Sequence, residues 1–138
     1  MSFDLNGANL RERADSRVWN TDPAAYWGGL TEATNKLAAP LVALQLDALT
    51  WNAHDLLRRA GGLPIRIASK SLRVREVLHR VLDLPGYRGV LAYSLAEAVW
   101  LAKTIDDIVV AYPSVNREAI RSLATNREAA QRIAIMVD

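Results

Sequence analysis

Short apolar runs alternate with segments of helical period along most of the chain, and this alternation constrains the fold more than any other feature. The runs 41–46, 65–69, 89–93, 107–111 and 133–137 each read as a strand. Helical spacing fills the gaps between them. Asp47 opens a helix through Leu49, Ala53, Leu56 and Leu57, which Gly61-Gly62 stops. Leu72, Val74, Val77, Leu78, Val81 and Leu82 give a helix over 72–83. Ser94-Leu95-Ala96-Glu97 is a capping box for a helix to about Lys103, and Asn116 caps a helix over 117–124, followed by a short turn over 127–131. Ahead of them all, Asp22-Pro23 starts a helix to about Leu37, with Asp at the N-cap and Pro at the first helical position. The order is α, then β-α four times, then β. Apolar strands separated by helices predict a parallel sheet with helices packed on it.

Two architectures carry that order: a small doubly wound domain and the first half of a TIM-type (β/α)8 barrel. The sequence given stops at Asp138, directly after an apolar run. A doubly wound sheet covers its last strand with a helix, so the expectation is α/β, with parallel β/α units forming the first half of a barrel. Residues 1–20 are expected to be a loose polar leader, and 21–138 a partial barrel domain truncated at its C-terminus. An open arc leaves sheet edges and apolar lumen uncovered, so the isolated chain is expected to dimerise, as a homodimer, to aggregate or to be only marginally folded.

Composition removes several function classes. With no cysteine among its 138 residues, the chain has no disulfide, zinc-thiolate, iron–sulfur or cysteine-nucleophile chemistry. It has no run of about 18 apolar residues, so no membrane span is expected. No apolar segment of a secretory signal follows the polar start, which makes the cytoplasm the expected address. The net charge is +2 and the pI about 9.2, but the arginines are scattered, so no nucleic-acid partner is expected.

Of the 17 basic residues only Lys36, Lys70 and Lys103 are lysines. Lys70 closes the run Pro64-Ile65-Arg66-Ile67-Ala68-Ser69-Lys70. Strand alternation puts Ile65, Ile67 and Ser69 on one face and Arg66, Ala68 and Lys70 on the other. If the apolar face meets the helices, Lys70 stands at the carboxyl end of its strand, inside the barrel mouth, where barrel enzymes place reactive groups. An amine there can form a Schiff base with an aldehyde or ketone once it is the free base, which a neighbouring cation assists. Arg66 and Arg73 are the candidate neighbours. From the pattern alone, a solvated strand-end lysine is the commoner case.

Three stretches carry a resemblance. Leu44-Gln45-Leu46-Asp47-Ala48-Leu49, with Asn52 after it, is similar to an opening D-L-D-A-L strand and helix. Ile67-Ala68-Ser69-Lys70-Ser71 stands at a lysine strand. Asp107-Ile108-Val109-Val110-Ala111-Tyr112-Pro113 is similar to D-I-L-x-A-Y-P. In this order and spacing they resemble the fold-type III pyridoxal-phosphate enzymes, whose barrel is the alanine-racemase N-terminal domain. The D-threonine aldolase and D-serine dehydratase group, including the amino acid deaminase/aldolases, is the nearest in kind. The resemblance covers about residues 40–138, the first half of that barrel. Where the aldolases carry P-H-x-K-T-H-K, this chain has Ile67 and Ser69 in place of an additional lysine and histidine.

The resemblance implies a lyase acting on D-amino or β-hydroxy amino acids through a lysine Schiff base. It implies pyridoxal 5'-phosphate as cofactor, a small amino acid as substrate, and Lys70 as the catalytic and cofactor-holding residue. A divalent metal would belong to the full-length parent only, and the fragment alone would be inactive. Arg73, expected one turn into the next helix, and Tyr93 and Tyr112, at strand ends, are further cofactor-binding candidates. His54 and His79 read as surface residues without metal-ligand spacing. Trp51 and Trp100 read as helix residues packed on the sheet. The competing reading, from another class, is a self-contained α/β module that binds a ligand or partner without catalysis.

Overall fold

Asp22 and Pro23 open the first helix as their chemistry requires. In the structure, a computed structural model that describes residues 4–5 and 22–137, Asp22 Oδ1 accepts the Ala25 N–H at 3.0 Å and Pro23 takes the first helical position. This helix, α1 (Pro23–Thr34), stops short of the expected Leu37. Helix α2 (Leu46–Ala60) follows. The strand expected over 41–46 is not formed. Residues 41–45 make no ladder, and Leu46 already belongs to α2. The reason lies in the period: Leu46, Leu49, Ala53 and Leu56 continue one helical stripe, which takes over the end of the apolar run. Val42, 90% exposed, is not in a core at all. Asp47 sits in the first turn of α2 and is not its cap.

Tertiary contacts divide the chain into two units, Leu5–Asp55 and Leu56–Asp138 together with Met1–Asp4. In the smaller unit Thr50 and Ala53 are buried on α2, and Thr50 returns its hydroxyl to the Leu46 carbonyl. Of the expected loose leader only Asp4 and Leu5 fall among the described residues. Leu5 is buried, with its carbonyl 3.0 Å from the His54 ring Nε2. His54 is therefore half-buried, and not the free surface residue expected.

The larger unit is built on a four-stranded parallel sheet: β1 (Ile65–Ala68), β2 (Tyr87–Ala92), β3 (Ile108–Val110) and β4 (Ile133–Ala134), adjacent in that order. Helices separate them: α3 (Ser69–Leu72) and α4 (Arg75–Leu82), then α5 (Leu95–Leu101), then α6 (Arg117–Thr125) and α7 (Arg127–Arg132). Register aligns Ile67, Val90, Ile108 and Ile133 in one row across the sheet, and all four are buried. The helices add Leu78, Val81, Leu95, Ala98 and Leu101 to this core. The opposite row, Ala68, Leu91, Val109 and Ala134, is only half-buried or exposed. One face of the sheet is thus covered by helices and the other is open. This is the division expected from alternation at Ile67 against Arg66 and Ala68.

Several boundaries differ from expectation. The final ladder holds only two residues, and Ile135–Val137 run beyond it; Asp138 lies outside the described residues. The helix expected over 72–83 is two helices broken at Arg73, which adopts φ 49°. His79 is half-buried on α4, its ring Nε2 3.1 Å from the Thr104 hydroxyl. No helix among the described residues is long and apolar enough to cross a membrane.

Gly89 fixes how the strands meet. It has φ +70°, and the β1–β2 register slips by one residue between Ile65 and Ile67. A Cβ there would collide with the Asp107 carbonyl and lie 2.6 Å from Arg66 Nη1. Only glycine lets Arg66 cross β2 to reach Asp107.

Candidate functional site

Parallel β/α units that wind in one direction place their ligand-binding groups beyond the carboxyl ends of the strands. Here a crevice follows β1 and β2. Ser69, next after β1, is fully buried and starts the single-turn helix α3; Lys70 is its second residue. The expected strand does not extend to Lys70. Strand alternation therefore does not orient this side chain, and the α3 turn does. The turn closes at Arg73, whose N–H donates to the Ser69 carbonyl at 2.8 Å and whose Nε donates to the Lys70 carbonyl at 3.1 Å. Arg73 is thus the left-handed residue that ends α3, not a residue one turn into the next helix.

Lys70 lines a cavity of about 310 Å³ together with Arg73, Arg75, Tyr93, Glu97 and Trp100. Arg75 opens α4, and Glu97 and Trp100 come from α5. The floor is apolar, made by Leu78 and Leu101. The volume is at the small end of what small-molecule sites use. Lys70 is exposed, and among the described residues its amine has no hydrogen-bond or ion-pair partner. Of the two cations expected beside it, Arg73 is present in the same cavity. Arg66 is not: it is engaged with Asp107, Nη1 to Oδ1 at 2.7 Å and Nη2 to Oδ2 at 3.0 Å.

Tyr93 follows β2 directly and is 54% exposed on the cavity wall. Tyr112 does not line this cavity. It stands two residues past β3 and meets Tyr93 edge-on, ring centroids 5.9 Å apart at 73°. The two tyrosines expected at strand ends are therefore brought together, one on the cavity and one behind it.

Three residues of the site, Glu97, Trp100 and Arg75, have no site role predicted from the sequence. Glu97 Oε2 accepts from the Ser69 hydroxyl at 2.9 Å and from the Tyr93 N–H at 2.8 Å, joining the ends of β1 and β2. Trp100 is 45% exposed and does not pack on the sheet as expected; the Arg75 guanidinium lies 4.9 Å over its ring. The capping box was the one available signal for Glu97, and nothing local pairs Arg75 with Trp100.

Lys70, Arg73 and Arg75 set three cations against the single carboxylate of Glu97, one oxygen of which already serves two donors. The cavity therefore suits an anionic small molecule that carries a carbonyl group within reach of an amine. That lining offers an exposed amine at Lys70, a guanidinium at Arg73 and the Tyr93 ring as one wall. No group of His, Asp or Glu that could hold a metal ion occurs among the described residues. Comparison with family models, with curated proteins and with solved structures gives no match to this chain.

Proposed function

We propose that the chain carries the cofactor-holding part of a pyridoxal-phosphate-dependent lyase acting on D-amino or β-hydroxy amino acids. The observation that carries this reading is Lys70. Its unpartnered amine stands just after the carboxyl end of β1 and opens on a cavity lined by Arg73 and Tyr93. The chemistry the cofactor supplies when bound is withdrawal of electrons from a substrate carbon. Lys70 holds it through Nζ and, when released, can carry a proton at that atom. Arg73 balances phosphate charge, and Tyr93, with Tyr112 edge-on to it, forms one wall of the cavity.

The strand order supports a barrel as the setting. A sheet that grows in sequence order, β1-β2-β3-β4, keeps its direction of winding. With crossovers of one hand all its helices fall on one face, as in a (β/α)8 barrel, whereas a doubly wound sheet reverses. The open row Ala68, Leu91, Val109 and Ala134 is then the lumen side, whereas the Lys70 cavity, floored by Leu78 and Leu101, opens on the helix side beyond the carboxyl ends of β1 and β2. A cytoplasmic address and a homodimer belong to the same reading.

The test is chemical trapping. The protein is incubated with pyridoxal phosphate, reduced with borohydride and mapped by peptide mass spectrometry. A pyridoxyl group concentrated on Lys70 is the expected result. Lys36 and Lys103, both exposed, are internal controls. Equal labelling of all three lysines, or label on those two alone, overturns the proposal in favour of a non-catalytic binding module.

A further inference from the structure

We propose that Arg75, laid over Trp100, is the carboxylate-binding group of the Lys70 cavity, and that its ligand is a small amino or hydroxy acid. The identity of that ligand rests on the function proposed above; the anion site itself does not. Arg66, Arg80, Arg88 and Arg132 each have their charge met by Asp or Glu within 4.0 Å. Arg75 has no carboxylate partner among the described residues, and its recorded contact is the ring of Trp100 at 4.9 Å. That contact uses the face of the guanidinium and leaves its N–H donors free. It also holds a flexible side chain in place before a ligand arrives, which lowers the ordering cost of binding.

The position gives the site its use. Arg75 and Trp100 line the same cavity as Lys70 and Arg73, so an anion on Arg75 lies in the same small space as the Lys70 amine. Glu97, the acid of this cavity, is committed through Oε2 to Ser69 and Tyr93 and is not the partner of Arg75. A planar fork of donors with an apolar floor at Leu78 and Leu101 suits a carboxylate bound in bidentate fashion. Division of labour follows: Arg73, tied to the Lys70 carbonyl, takes the cofactor's phosphate, and Arg75 takes the acid.

The probes are acetate and inorganic phosphate, titrated into the protein without cofactor while the Trp100 indole N–H signal is followed by NMR. Trp100→Phe assigns that signal. Saturable shifts with acetate are expected. Arg75→Gln should weaken acetate binding about ten- to hundredfold, the loss expected for charge-assisted hydrogen bonds. Arg75→Lys should lose most of the affinity too, because an ammonium has no fork. Arg73→Gln, which removes a cation from the same cavity, should weaken acetate binding by less than Arg75→Gln does. If Arg75→Gln disturbs folding, Trp100→Leu keeps the charge and removes the platform; followed through the backbone N–H signal of Tyr93 on the same cavity, in place of the lost indole, acetate should bind about three- to tenfold more weakly. The proposal is overturned if acetate causes no saturable shift, if Arg75→Gln binds acetate as the parent does, or if Arg73→Gln is the variant that loses it. It is equally overturned if phosphate binds Arg75 more tightly than acetate. Because no cofactor is present, acetate binding on Arg75 without labelling of Lys70 overturns only the function proposed above.

Discussion

The buried hydroxyl of Ser69 donates to Glu97 Oε2 at 2.9 Å across 28 residues of sequence, and the same oxygen takes the Tyr93 N–H at 2.8 Å. One carboxylate therefore ties the turn that bears Lys70 to the end of β2. Glu97→Ala leaves the Ser69 hydroxyl without its short bond in a fully buried place. The expected loss is about 1–3 kcal/mol of stability, measured by urea unfolding. Glu97→Gln keeps a carbonyl acceptor and should lose less than half of that. Equal losses in the two variants would mean that charge, and not acceptance, is what Glu97 contributes.

This tie marks the limit of what the chain discloses in order of sequence. Ser94-x-x-Glu97 reads as a capping box, and one half of it forms: the Ser94 hydroxyl accepts the Glu97 N–H at 3.2 Å. The other half does not. The Glu97 side chain passes Ser94 and serves Tyr93 and Ser69 instead, a choice made by the approach of β1 to β2 and by nothing local. The four parallel strands, the buried row through Ile67 and Val90, and the caps at Asp22, Ser94 and Asn116 were legible, because each depends on period or on a side chain within a few residues. The missing strand at 41–45 and the turn at Ser69–Lys70 were not. An apolar run signals burial without naming a ladder partner, and a strand and a helical turn can share the same four residues. Lys70 and Tyr93 were legible as strand-end residues. Arg75 on Trp100 was not, since it joins the first residue of one helix to the far turn of another.

Gly89→Ala should be among the most damaging single changes in the sheet. The residue has φ +70°, and the added methyl would meet the Asp107 carbonyl and Arg66 Nη1. Both the backbone strain and the collision with main chain act together, for an expected loss of about 2–4 kcal/mol. Gly61→Ala also sits at positive φ, +60°, but with nothing within 4 Å of the new carbon. It should lose about 1 kcal/mol, the conformational part alone. Thermal unfolding of the two variants side by side separates strain from collision.

Asp107 gives the fold an acid limit. The hydrogen bond from Arg66 is the main cause that holds its carboxyl below the ordinary value; the charges of Arg66 and Arg88 add to it, and partial burial opposes them. A depressed native pKa means that the unfolded chain binds the proton more readily. The contribution to stability is fully present above the unfolded value, about pH 4, and is lost as pH falls through the native one. Stability measured from pH 6 down to pH 2 should fall in this window, and Arg66→Gln should flatten the fall. A profile identical to that of the parent would assign the acid sensitivity to other carboxylates.

Lys70 is where the reading of function is most exposed to failure, and Lys70→Arg probes it best. Arginine keeps the positive charge and most of the length, so the cavity loses little electrostatically. A guanidinium, however, stays protonated and does not condense with an aldehyde. With the Lys70 side chain exposed and without a partner among the described residues, neither Lys70→Arg nor Lys70→Ala should change stability by more than about 0.5 kcal/mol. Both should abolish the borohydride-sensitive absorbance at the edge of the visible that the parent gains with pyridoxal phosphate. Retention of that absorbance in Lys70→Arg would place the covalent attachment on Lys36 or Lys103, both outside the cavity, and would remove the basis for the proposed chemistry.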